Sequence, residues 1–120
     1  MLFRATRLIK SFGYAFKGLF KIFHEEQNLQ IQAAIALVAV SLGLYCRIKP
    51  IEWCVLLIMI TMVILMEVIN SAVERVADVL RPRINTYVKE IKDIAAAAVM
   101  LASLSAVIVG IIIFYPYLVK

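Results

Sequence analysis

Trp53-Cys-Val-Leu-Leu-Ile-Met-Ile-Thr-Met-Val-Ile-Leu-Met66 runs straight into Glu67-Val-Ile-Asn70-Ser71-Ala-Val-Glu74-Arg75-Val-Ala-Asp78, and that junction decides the fold. The fourteen residues 53–66 hold no charge. With Glu67 as origin, Asn70, Ser71, Glu74 and Asp78 fall at +3, +4, +7 and +11, which puts all five on one face of a helix. Val68, Ile69, Ala72 and Val73 take the other faces. A carboxylate placed in a bilayer costs about 2.5–3.5 kcal/mol on insertion scales, so such residues usually carry function. Carboxylates in line at a membrane boundary suit Mg²⁺, which takes one or two of them and completes its shell with phosphate oxygens and water. The competing reading is structural: buried polar side chains that bond helices together across a bundle.

Working outward, the whole chain is apolar. Hydrophobic residues make up 64% of its 120 positions, and the mean hydropathy is +0.95. A chain this short cannot hide so much apolar surface in its own core, which makes a membrane its natural solvent. The length allows one domain. The net charge of +5 raises the possibility of a nucleic-acid partner, but its distribution points elsewhere. Arg4, Arg7, Lys10, Lys17 and Lys21 precede the first apolar run, and Arg75, Arg81, Arg83, Lys89 and Lys92 surround the long polar interruption. Only Arg47, Lys49 and Lys120 lie elsewhere. This positive-inside bias places the N-terminus and the 75–93 region in the cytoplasm, with no nucleic-acid partner.

The predicted elements follow from the same pattern. Residues 1–28 read as an amphipathic surface helix and hinge, with Phe12, Phe16, Phe20 and Phe23 interleaved with lysines and arginines. Gly13 and Gly18 are candidate bends, and no compact apolar core or cleavage site marks a signal peptide. Membrane helices are expected over 29–46, 51–80 and 89–115, with Pro50 opening the second and Pro116 closing the third. Trp53, Tyr115 and Tyr117 fall where interfacial aromatics belong. Cys46 and Cys54 read as apolar filler.

A second polar group, His24-Glu25-Glu26-Gln27-Asn28, stands directly before the first span, and Lys92-Asp93 before the third. All three polar ends therefore meet at one boundary, where carboxylates, a lysine and arginines can surround anionic phosphates. No G-x-x-x-x-G-K-[ST] loop and no G-x-S-x-G elbow occurs, and His24 is the only histidine. A phosphoryl transferase here has to work by positioning and metal electrostatics.

The stretch Glu67 to Asp78 resembles the E-x-x-N-[ST]-A-x-E-x-x-x-D motif of the small prokaryotic membrane lipid kinases, the diacylglycerol and undecaprenol kinases. Arg7-Leu-Ile-Lys10-Ser-Phe-Gly13-Tyr14-Ala-Phe-Lys17-Gly18 resembles the family's surface helix. Glu26-Gln-Asn28 and Lys92-Asp93-Ile-Ala-Ala-Ala-Ala-Val99 resemble the openings of its first and last spans.

The resemblance implies an all-α membrane protein of three transmembrane helices and a surface helix. It implies a homotrimer with sites between subunits, in the bacterial inner (plasma) membrane. By position it makes Glu67 the general base on a lipid hydroxyl and Asn70 its orienting partner. Glu26 and Glu74 become Mg²⁺ ligands, and Arg7, Tyr14, Glu26, Glu74, Arg83, Asn85, Lys92 and Asp93 the ATP contacts. Ala96 joins Glu67 on the lipid side, and Ser71 and Asp78 complete the stripe without a role. The stretch 79–87 lacks the histidine expected of the family there, and Ala96 stands where some members carry serine. The implied reaction is ATP- and Mg²⁺-dependent phosphorylation of a lipid alcohol. Undecaprenol is favoured by Glu26-Gln-Asn28-Leu-Gln-Ile, Ile51-Glu52-Trp53 and Glu74-Arg75-Val, with diacylglycerol as the alternative and a non-enzymatic bundle as the distant one.

Overall fold

The structure, a computed structural model, describes the backbone of residues 2–80 and 85–119 and the side chains of 4–80 and 86–119. It contains α1 (Leu2–Glu25), α2 (Gln27–Cys46), α3 (Pro50–Leu80) and α4 (Asn85–Leu118), with no strand among the described residues. Three helices, Gln27–Cys46, Pro50–Leu80 and Thr86–Leu118, are long and apolar enough to cross a membrane. Their outward side chains stay apolar: Leu37, Leu57, Ile94 and Ile112 are each more than half exposed. Such surface is stable only against lipid or another chain. The chain is a membrane protein.

Each boundary has a local cause. Arg47 ends α2 in the left-handed region at φ 53°, with its N–H bonded to the Gly43 carbonyl. Ile48 N–H reaches the same carbonyl at 3.2 Å, so two donors terminate the helix. Pro50 then opens α3, where a missing N–H costs nothing. Glu52 folds back to accept the Lys49 backbone N–H at 2.9 Å, as the third residue of a capping box does. It also accepts the Tyr117 hydroxyl, which ties the end of α4 to the start of α3.

Two expectations change. Pro116 lies inside α4 rather than closing it, and the helix continues to Leu118. The Val119 N–H bonds the Tyr115 carbonyl at 3.1 Å, and Tyr117 is anchored on Glu52, so the last turn is held from outside. Gly13 and Gly18 make no break either, for α1 is one continuous helix through both. Helical propensity costs of about 1 kcal/mol per glycine are small beside the burial of an amphipathic face.

The densest apolar packing lies at one end of the bundle. Ile48, Leu56, Ile113 and Phe114 are buried there, with Trp53 and Tyr117 against them. Gly43 permits this, because its missing side chain leaves room for the Trp53 ring. Cys46 and Cys54 are free thiols. The polar residues gather at the opposite end, where α1 meets α2, α3 ends and α4 begins.

Candidate active site

Three polar residues of α3 are buried. Glu67 is 3% exposed, Asn70 8% and Ser71 2%. They face the start of α2, whose Leu29 is itself buried. Glu26 and Glu74 are the charges that bear on Glu67. Three carboxylates from two segments therefore share one polar niche at the end of an apolar bundle.

Glu26 enters through a break in the chain. It is the one residue between α1 and α2, with extended backbone (φ −106°, ψ 111°). Its N–H still bonds the Ile22 carbonyl at 2.8 Å, and its carbonyl accepts from Gln30 N–H at 3.3 Å. Its side chain does not cap α2. It crosses to α3 instead, where Ser71 Oγ donates to Oε1 at 3.1 Å. Arg75 Nη2 stands 3.8 Å from the same oxygen and 3.4 Å from Glu25. On α3, Asn70 Nδ2 approaches Glu74 Oε1 at 3.5 Å. Asn70 Oδ1 is buried with no hydrogen-bond partner. An orphaned buried acceptor is expensive unless something donates to it, and a substrate hydroxyl is such a donor.

The predicted stripe divides. Asp78 turns to α4, where Lys92 Nζ sits 2.6 Å from its Oδ1. Lys89 pairs with Asp93 at 3.4 Å, both well exposed. Ala96 is exposed on α4, and Arg7 and Tyr14 are exposed on α1. Neither Arg7 nor Tyr14 hydrogen-bonds the carboxylate niche within this chain. Arg83 lies outside the described residues, and so does the side chain of Asn85, the first residue of α4.

Beside the niche, α1 diverges from α3 and leaves an apolar groove of about 590 Å³. Ala15, Gly18, Leu19 and Ile22 face Ile64, Leu65, Val68 and Ala72 across it, and Arg75 also lines it. An apolar groove with one charged lining residue matches a molecule with a long apolar tail and a polar head.

A family model described as prokaryotic diacylglycerol kinase matches residues 13–114. The chain belongs to this family. It is 31% identical over 113 residues to the undecaprenol kinase of Bacillus subtilis, covering 94% of this chain and 92% of that one. It is 30% identical over 112 residues to the diacylglycerol kinase of Escherichia coli K12, covering 93% and 92%. It is also 31% identical over 117 residues to the diacylglycerol kinase of Synechocystis, covering 97% of this chain and 67% of that one.

Family members are named as lipid kinases, and their chemistry needs charge compensation for a transferred phosphoryl group. Among the described residues no group of three or more His, Cys, Asp and Glu is arranged to hold a metal. Mg²⁺ needs only one or two carboxylates when phosphate and water supply the rest. Glu26 and Glu74, which both bear on Glu67, are the candidate pair.

One participant was not evident beforehand. Arg75 reads in the sequence as one charge among several. Only the return of the α1–α2 junction against α3 brings it to Glu26.

Proposed function

We propose that this protein is an ATP-dependent kinase of lipid alcohols, with undecaprenol as the favoured acceptor. The observation that carries the reading is the burial of Glu67 beside the carboxylates Glu26 and Glu74. The lipid hydroxyl meets Glu67, with Asn70 Oδ1 as the acceptor that orients it. The hydroxyl oxygen forms a bond to the γ-phosphorus, the bond to the bridging oxygen breaks, and ADP leaves. Glu67 takes the hydroxyl proton. Glu74 lies seven residues further along α3, about 10 Å of helix rise, which separates the acceptor end from the nucleotide end. Glu26 and Glu74 would hold Mg²⁺, which when bound neutralises phosphate charge. Lys92, Asp93, Arg7, Tyr14, Arg83 and Asn85 are the proposed nucleotide contacts.

Arg7 and Tyr14 are exposed and make no hydrogen bond to the niche within one chain, which favours a homotrimer in which a neighbour's surface helix completes the site. The distribution of lysine and arginine supports the cytoplasmic face of the inner membrane. Identities of 31% and 30% to relatives of different substrate do not choose between lipids. The choice rests on the motifs around Glu26, Glu52 and Glu74.

The deciding experiment is a panel of undecaprenol, diacylglycerol and shorter alcohols with labelled ATP and Mg²⁺ in detergent or lipid mesophase. Undecaprenol is expected to give the highest kcat/KM. A folded protein that phosphorylates none of them would end the kinase reading, and preference for diacylglycerol would reverse the substrate assignment.

A further inference from the structure

Ser71 has no part in the chemistry proposed above, yet it is the most buried polar residue described, at 2% exposure. Its hydroxyl is spent on one tertiary contact, to Glu26, 45 positions earlier in the chain. The Glu26 side chain is not fixed by a cap on its own helix. Glu26 is the single non-helical residue between α1 and α2. A glutamate at a chain break has several side-chain rotamers to choose from, so something has to select one.

Ser71 and Arg75 are four residues apart and share a face of α3. Both address the same oxygen of Glu26, Oε1. The two contacts are unequal. The Arg75 pair is 3.8 Å long, with the guanidinium side chain 43% exposed, and exposed pairs at such distances hold little. The buried Ser71 hydroxyl donates to a charged acceptor at 3.1 Å, and that kind of bond is the stronger one. With Oε1 held, Oε2 is the oxygen left to a ligand.

We propose that Ser71 is a positioning residue that fixes the Glu26 carboxylate for metal–nucleotide binding, with Arg75 as a weaker second hold. It works by clasping the α1–α2 junction to α3. The proposal rests on the kinase reading of the niche. It adds that metal affinity at Glu26 is set from α3 by a residue that touches neither metal nor substrate.

Three features distinguish this from a merely structural serine. The effect falls on nucleotide and metal, not on lipid. A threonine, which keeps the hydroxyl, restores it. Removing Glu26 first abolishes it, because Ser71 then has nothing to aim.

The test uses the full chain in detergent micelles with Ser71→Ala, Ser71→Thr, Glu26→Gln and the Ser71→Ala/Glu26→Gln double variant. Binding of Mn²⁺ with a non-hydrolysable ATP analogue is followed by electron paramagnetic resonance, and KM for Mg-ATP and for lipid alcohol are measured separately. Ser71→Ala is expected to weaken Mn²⁺–nucleotide binding about tenfold. Its KM for Mg-ATP rises in parallel, while the lipid KM stays within about twofold. Ser71→Thr binds as the unmodified chain does, and the double variant binds no worse than Glu26→Gln alone. If Ser71→Ala binds Mn²⁺–nucleotide normally, or the two losses add, the proposal is wrong while the kinase reading stands. If Ser71→Ala is too unstable to assay, Ser71→Cys replaces the hydroxyl by a weaker donor of similar shape. Intermediate affinity then supports the proposal, and unchanged affinity overturns it. An unmodified chain that binds no metal–nucleotide removes both.

Discussion

Glu67 and Glu74 occupy the same helix face but have different surroundings, which separates the consequences of changing them. Glu67 is buried, whereas Glu74 is only part-buried and receives Asn70 Nδ2. In Glu67→Gln the residue loses its capacity to take a proton. Turnover is expected to fall about 10²–10⁴-fold, the usual share of a general base, with KM for Mg-ATP little changed. Glu74→Gln is expected instead to raise KM for Mg-ATP, because a neutral amide is a poor Mg²⁺ ligand. Steady-state kinetics in both substrates check the pair, and equal kcat loss without a KM change in Glu74→Gln would refute the division of roles. The stripe itself was legible from residue spacing. That Asp78 leaves it for Lys92 was not, because the offset of +11 says which face a residue is on and not which helix lies opposite.

At the scale of elements, the turn between α2 and α3 combines strain with close packing. A Cβ built on Gly43 would lie 2.8 Å from Trp53 Cη2 and 3.2 Å from Ile48 Cδ1. Neither neighbour has free space, since Ile48 is buried and Trp53 packs on the same cluster. Gly43→Ala is therefore expected to destabilise the chain by about 1–3 kcal/mol, read as a lower thermal midpoint in detergent. Adding Trp53→Phe is expected to recover part of that loss, and a Gly43→Ala midpoint equal to the parent's would show the approach is looser than described. Arg47 presents the opposite case, a side-chain-bearing residue at φ 53° where helices usually end in glycine. Arg47→Gly relieves this, and is expected to raise stability by up to about 1 kcal/mol in the same assay. The helices were readable because an uncharged run and a proline are local signals. The persistence of α4 through Pro116 was not readable, since it depends on Tyr117 finding Glu52.

For the whole molecule, charge distribution and exposed apolar surface make two expectations. With Cys46 and Cys54 replaced by serine, Lys49→Cys in intact cells is expected to react with a membrane-impermeant thiol reagent, while Lys10→Cys is protected until the membrane is opened. The reverse pattern would invert the proposed orientation. Native mass spectrometry from a mild detergent is expected to show a trimer. A monomer with full activity would mean that Arg7 and Tyr14 are not supplied by a neighbour.

The sequence by itself determined the membrane class, the three spans, the surface helix and the polar face of α3. Each of these follows from hydropathy and periodicity, which act over one helix at a time. Only the tertiary structure decided that Glu26 turns away from its own helix to Ser71, that Lys92 is taken by Asp78, and that Gly43 yields its space to Trp53. Those contacts join residues far apart in the chain. A side chain at a helix boundary has several partners of similar energy, and the packing of neighbouring helices selects among them.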